Sequence, residues 1–490
     1  MDSFLHIAGL VWHFMHEVMI YLNIIIIFLI IFFQKRDPVA IFLWIVVLIL
    51  APVAGFVLYI FLGQQIHKEK LFKVKGMEDT INKYIRRDAR MSISDRIRLS
   101  KPRMRDFEEL IKYNRNVAQI AYTENNAVEV YFDGREKFRA LVKALESAQH
   151  YIYFQYYIIR DDEVFGKIKP ILIEKARAGL KVCIIYDGMG CRMMKKKVWR
   201  DLAREGIESV AFFPAIFGPL NFRVNYRNHR KIVVIDGRTA FMGGFNVGRE
   251  YVGMDRRFGY WRDTHIQLTG DAVVPIEMRF IMDWNYAVKD KKRQLRLGKP
   301  RIFPIAEEST GVQIVSSGPD LTEPLIRDNF IKMIATAKDN IRIQTPYFIP
   351  DESIMTALKI ALHSGVAVEI IIPAIPDHPV VLSATRYFAG LLVEEGARLY
   401  EYRRGFVHAK VITVDNMVCS VGTANMDIRS FRLNFEINAV IFSESVTGKI
   451  NAAMDKDKEY STEITIDKYR ERSIFRRFKE RFARLFSPLL

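Results

Sequence analysis

Two long apolar runs open the chain, and beyond residue 125 the pattern changes to short apolar runs alternating with amphipathic ones. Residues 18–33 contain IIIIFLIIFF and stop at Lys35, Arg36 and Asp37, while residues 39–62 carry no charge over 24 positions. With the apolar residues before His16, the first run approaches the roughly 20 residues that span a bilayer. Pro52 and Gly55 in the second are tolerated in such helices. The N-terminus has neither the basic segment nor the small-residue cleavage site of a signal peptide. The pattern therefore predicts a retained two-helix transmembrane hairpin over 1–67. Lys68, Lys70, Lys73 and Lys75 outnumber Lys35 and Arg36 of the connecting loop. That bias predicts a multi-pass protein of the cell membrane whose body faces the cytoplasm, with residues 68–125 as a basic juxtamembrane connector.

From residue 126 the periodicity is that of an α/β protein. AVEVYFDG predicts a strand and turn, REKFRALVKALESA an amphipathic helix, and HYIYFQYYII a buried strand. PILIEKARAGLKVCIIYDGMG adds a helix, a glycine stop, a strand and a turn. The same order returns after Asn329 in FIKMIATAK, NIRIQTPYFIP, ESIMTALKIALHSG and VAVEIIIPAIPD. Three matching pairs in sequence imply an internal duplication. The expected fold is a pair of α/β domains, 126–310 and 311–490, with mixed, largely parallel sheets.

Charge and cysteines narrow the class. Across 490 residues, 73 basic against 56 acidic side chains give a net charge of +17. Such a surface suits nucleic acid or an acidic lipid face, and composition does not choose between them. Cys183, Cys191 and Cys419 lack a C-x-x-C spacing and read as reduced thiols rather than metal ligands or a disulfide framework.

The duplication carries chemistry. His229, Lys231 and Asp236 in NHRKIVVID are answered 179 residues later by His408, Lys410 and Asp415 in VHAKVITVD, both of the form H-x-K-x4-D. Each motif runs into an apolar strand, where side chains at i and i+2 share a face, so each histidine and lysine can point into one pocket. Asn246 in GGFN and Asn425 in GTAN follow at comparable offsets, and their amides can donate to a phosphoryl oxygen. Farther on, Asp263 and Glu436 can each hold the Nδ1 proton of a histidine and leave Nε2 for substrate. This set suits a phosphodiester: one histidine attacks phosphorus, the other protonates the leaving alkoxide, and the lysines and asparagines counter charge on the nonbridging oxygens. No metal or cofactor is needed. Asp236 and Asp415 complete the motifs and enter the candidate set with them. Their odd spacing from histidine and position at a turn suit a structural hydrogen bond at least as well as catalysis.

These residues resemble the phospholipase D superfamily, whose hallmark is the paired H-x-K-x4-D motif. The resemblance implies two α/β domains facing one active site and a phosphohistidine intermediate. Within the superfamily, YFDG, IYFQYYII, YDGMG, GGFNVGREY, YWRDTH, QTPYFIPD and GTANMDIRSF are similar to bacterial cardiolipin synthases. What that implies is transfer of a phosphatidyl group from one phosphatidylglycerol to another, giving cardiolipin and glycerol, with anionic membrane lipids as partners. Acid–base reasoning leaves both histidines open as nucleophile; the resemblance implies attack by His229, with His408 as acid and base. Hydrolysis by water, or transfer to another alcohol acceptor, is the competing outcome, because motifs at phosphorus do not specify the acceptor. A nucleic-acid substrate is not expected, since no recognition helix or zinc module accompanies the motifs. Oligomeric state is not legible.

One further segment stands out. Near the carboxyl end, Phe475, Phe478, Phe482 and Leu485 recur at helical spacing among Arg476, Arg477, Lys479, Arg481 and Arg484. That periodicity suits an interfacial helix and a helix packed on the catalytic body equally.

Overall fold

The computed structural model describes residues 2–33, 38–59, 102–213, 226–298, 309–321 and 323–487. Residues 68–101 of the expected basic connector over 68–125, and residues 214–225 ahead of the first motif, lie outside them.

The two apolar runs form helices Asp2–Phe33, Pro38–Leu50 and Pro52–Leu58. Among the described residues no helix is long and apolar enough to cross a membrane. This overturns the expected transmembrane hairpin and, with it, the multi-pass membrane placement. The second run breaks at Ala51, whose non-helical backbone (φ −135°, ψ 71°) lets Pro52 begin a new helix, leaving pieces of 13 and 7 residues, each short of the roughly 20 a span requires. In the first helix the uninterrupted apolar stretch begins only after Glu17 and contains Asn23. The Asn23 amide, itself buried, donates to the carbonyls of Leu48 and Pro52 at 3.0 and 2.9 Å. Ile30, Leu48 and Tyr59 form the small core of this unit.

The catalytic body consists of two sheets with the same strand order. In the first, Asn126–Asp133, Tyr260–Gly270, Thr239–Gly243, Ile232–Ile235, Tyr151–Tyr156, Lys181–Asp187 and Glu208–Phe212 lie side by side. Gly311–Ser317, Asn434–Phe442, Val418–Gly422, Val411–Val414, Asn340–Gln344, Ala367–Pro373 and Arg398–Tyr402 repeat the order in the second. The expected parallel character holds only for the last three strands of each series; the other pairings within each series are antiparallel. The turns explain the difference. Asp236 and Gly237, and likewise Asp415 and Asn416, adopt positive φ near 50–57°, which folds each motif strand straight back on its neighbour as a hairpin.

Helices cover the sheets for reasons visible in their ends and faces. Asp133 caps Gly134–Glu146 by accepting from the N–H groups of Arg135 and Glu136, and Phe138, Leu141 and Leu145 of that helix are buried. Full burial of a leucine is worth about 1.5–3 kcal/mol, so this face decides where the helix sits. Each half has its own apolar core, one around Phe154, Phe165 and Leu172, the other around Phe330, Leu358 and Leu392.

The halves are joined by a reciprocal exchange. Gly405–Val407, leading into His408, pairs in parallel with Tyr260–Arg262 of the first sheet. Arg227–Asn228, leading into His229, pairs in parallel with Asn434 and Phe435 of the second. Each histidine is thus carried on a short strand anchored to the other half.

Candidate active site

That exchange decides which carboxylate meets which histidine. The His229 N–H donates to the Phe435 carbonyl at 3.0 Å, and its Nδ1 lies 3.0 Å from both carboxylate oxygens of Glu436. The His408 N–H donates to the Arg262 carbonyl at 2.7 Å, and its Nδ1 lies 2.6 Å from Asp263 Oδ2. Both partnerships therefore cross between the halves, a point that offsets along the sequence left open. With Nδ1–H donated to the carboxylate, each ring presents Nε2 as its free nitrogen.

The lysines sit behind the rings. Lys231 Nζ donates to the His229 carbonyl at 2.7 Å, and Lys410 Nζ donates to the His408 carbonyl while lying 2.8 Å from His408 Nδ1. All these groups are buried. Burial lowers both histidines to about 4; for His229 the Glu436 charge opposes this and Lys231 reinforces it, and for His408 Lys410 reinforces it and Asp263 opposes it. Burial likewise lowers Lys231 to about 7 and Lys410 to about 8, against the pull of Glu436 and Asp263. Burial alone would push both carboxyls up, but Lys410 and His408 hold Asp263 below the ordinary carboxylate range, as His229 and Lys231 hold Glu436. Lys231 acts on His408 and Lys410 on His229, so the two motifs share one electrostatic centre.

The asparagines differ. Asn246 Oδ1 accepts from the Ile158 N–H at 3.1 Å and its amide donates to Tyr251 Oη at 3.0 Å. One amide hydrogen remains for a ligand. Asn425 is buried, and its Oδ1 has no hydrogen-bond partner among the described residues. Asp236 and Asp415 lie at the far ends of the motif strands. Asp236 accepts from the N–H groups of Gln149, His150 and Tyr151, and Asp415 from those of Lys338, Asp339 and Asn340, at 2.8–2.9 Å. Each carboxylate ties the end of a helix–strand connection to the hairpin turn, which is the structural reading of these residues.

Several site residues escaped the sequence. Arg230, fully buried and next in sequence to the motif histidine and lysine, donates from Nη1 to both carboxylate oxygens of Asp283 at 2.7 and 2.8 Å and from Nε and Nη2 to the carbonyls of Glu436 and Ser317. Ala409 holds the matching position in the second motif. There Arg262, again from the first half, binds Asp457 at 2.7 Å. Gln155 and Gln344 donate to Asp283 and Asp457, so both halves keep the same Gln–Asp–Arg support. The difference between NHRK and VHAK was the available signal. Tyr157, whose ring centroid lies 5.0 Å from that of His229 in a T-shaped contact, and Tyr251 were hidden among many aromatics. Gly244 is also required: a Cβ there would lie 1.8 Å from Asp263 Oδ1. Cys183, Cys191 and Cys419 are free and buried.

No group of acidic, histidine or cysteine side chains suited to a metal ion occurs among the described residues. The arrangement offers two imidazoles with free Nε2 atoms, flanked by cations, which is equipment for nucleophilic and general acid–base work at an anionic centre.

Comparison with known proteins agrees with this geometry. A family model described as "Cardiolipin synthase, PLD-like domain" matches residues 141–257 and 330–458, and one described as "Phospholipase_D-nuclease N-terminal" matches 22–64. The cardiolipin synthase of Oceanobacillus iheyensis is 42% identical over 474 residues, covering 96% of this chain and 97% of that protein. The major cardiolipin synthase ClsA of Bacillus subtilis is 42% identical over 472 residues, with 96% and 97% covered. The crystal structure of a Haemophilus influenzae phosphatidylserine synthase shares the fold, with TM-score 0.60 at 16% identity over 78% of this chain and all of that one. Matches that run through both motif-bearing halves and nearly the full length of the relatives mean that the chain belongs to the phospholipase D superfamily and, within it, to the cardiolipin synthases.

Proposed function

We propose that the protein transfers a phosphatidyl group from one phosphatidylglycerol to the terminal glycerol hydroxyl of another, releasing glycerol and forming cardiolipin. The observation that carries the chemistry is the crossed pair of histidine–carboxylate contacts, His229 with Glu436 and His408 with Asp263. Family membership supports the lipid class.

In the first step His229 Nε2 attacks phosphorus, the P–O bond to the headgroup glycerol breaks, and His408 gives its Nε2 proton to the departing oxygen. In the second, His408 takes the proton from the hydroxyl of the incoming lipid, that oxygen attacks phosphorus, and the P–N bond to His229 breaks. Acid and base are the same residue at successive steps. Lys231 and Lys410 balance charge on the nonbridging oxygens, and Asn246 and Asn425 offer amide N–H groups there. Both rings have a carboxylate partner able to steady an imidazolium, and the assignment of His229 as nucleophile is supported by the family resemblance.

Purified protein in mixed micelles with labelled phosphatidylglycerol should yield cardiolipin and glycerol. Phosphatidic acid without cardiolipin would defeat the synthase reading. Mass spectrometry of a trapped phosphohistidine should locate it at His229; the adduct on His408 would reverse the roles.

A further inference from the structure

The last helix, Ile474–Arg484, is packed by its polar side. Glu480 and Ala483 are 2% and 3% exposed, whereas Ile474, Phe475, Phe478, Phe482 and Leu485 are 86%, 77%, 66%, 52% and 71% exposed. Glu480 pairs with Arg472 ahead of the helix and, within it, with Arg476 Nε at 3.0 Å, while Arg484 ties the helix to the body by donating to Tyr387 Oη at 2.7 Å. The aromatic rings make a row along the outer face, with centroids of Phe478 and Phe482 at 6.2 Å and of Phe482 and Phe486 at 5.3 Å. Of the two uses the periodicity allowed, packing on the body is therefore the one the structure rejects for this apolar face.

Arg477, Lys479, Arg481 and Arg484 flank the row and are exposed. A cleft of about 180 Å³ behind the helix is lined by Arg470, Arg472, Arg477 and Arg481 together with Glu394 and Glu480. An aromatic stripe bordered by cations matches the boundary between acyl chains and anionic headgroups. It fits a second copy of the chain poorly, because a twofold contact would set these cations against themselves.

We propose that this helix is a docking surface for an anionic lipid bilayer, with Phe475, Phe478, Phe482 and Leu485 entering the headgroup–acyl boundary and Arg477, Lys479 and Arg481 meeting lipid phosphates. The proposal concerns peripheral contact only and stands apart from the reaction at the histidines.

The test needs a readout at the helix itself. Because Cys183, Cys191 and Cys419 are all buried, Phe482→Cys in the full chain offers an exposed thiol for an environment-sensitive fluorophore. On vesicles of phosphatidylcholine mixed with phosphatidylglycerol the emission should move to the blue, and on phosphatidylcholine alone it should not. Reversing two cations, Lys479→Glu with Arg481→Glu, should weaken the response at least ~30-fold, with the circular dichroism spectrum and turnover in mixed micelles unchanged. A probe that stays water-like on anionic vesicles overturns the proposal, as does an equal response on neutral vesicles. A shift that grows with protein concentration without lipid would mean self-association and also overturns it. Blue-shifted emission in a preparation that makes no cardiolipin in micelles would leave the surface standing and sink the synthase reading instead.

Discussion

Filling the site with an anion should draw a proton onto a histidine. His408 is lowered to about 4, so at pH 7 only about one molecule in a thousand carries the proton that a general acid must give away. Raising that value to about 7 requires about 4 kcal/mol. A phosphoryl charge about 4 Å from the ring supplies about 4 kcal/mol at an effective dielectric constant of about 20, so substrate can arm its own acid. Inorganic phosphate or tungstate can stand in for the phosphodiester. Calorimetric titration at pH 7 in buffers of different ionisation enthalpy measures the protons taken up per anion bound.

Lys231, lowered to about 7, is only about half protonated at that pH and contributes up to about half a proton. With His408 raised to about 7 it too is about half protonated at pH 7, so the wild type should take up between about 0.5 and 1 proton. His408→Asn should bind the anion with uptake reduced by about half a proton, and His229→Asn should retain most of it. Stoichiometric binding with no uptake would refute the reasoning. So would uptake unchanged in both histidine variants, since the proton would then reside on a group outside the pair.

The carboxylates test the crossed pairing. Asp263→Asn should lower kcat by at least ~100-fold by removing the partner of His408, and a labelled substrate chased under single-turnover conditions should reveal the phosphohistidine step as the slow one. Gly244→Ala should mimic that loss, because its Cβ would collide with the Asp263 carboxylate; wild-type turnover in a folded variant would remove the steric argument. Asp236→Ala should behave differently, lowering stability by about 3 kcal/mol through the loss of three backbone contacts, with turnover retained by the folded fraction in a micelle assay. Stability should also respond to acid. Both histidines sit at about 4 in the fold and about 6.5 in the unfolded chain. The unfolded state therefore binds protons first, and the melting temperature should fall as pH drops from 6.5 to 4. The double variant with asparagine at 229 and 408 should flatten that slope.

What the sequence made legible was what repeats locally. The H-x-K-x4-D spacing named both histidine–lysine pairs because i and i+2 share a face in any extended strand, and the order of strands and helices exposed the duplication. Three features depended on contacts between distant residues and were not legible. The two apolar runs read as spans by composition, yet the break at Ala51 divides the second into two short helices, and the Asn23 amide of the first helix bonds to the carbonyls of Leu48 and Pro52. The sheets read as parallel from βα alternation, yet positive φ at Asp236 and Asp415 turns the motif strands back.

The third concerns the site itself. Asp263 and Glu436 stood out as histidine partners by offset, but offset left open which carboxylate meets which histidine. The strands Arg227–Asn228 and Gly405–Val407 each leave their own sheet to pair with the carboxylate strand of the other. Neither half, taken alone, holds a complete histidine–carboxylate couple. The buried Arg230 and Arg262, both from the first half, bond to acceptors of the second and make the exchange directional. Disturbing Arg230 should therefore disturb Glu436 and His229 together, while Arg262 bears on Asp457 and, through the carbonyl that receives the His408 N–H, on His408. The duplicated motif encodes two similar sets of reactive groups, and the unduplicated arginines are what make their environments unequal.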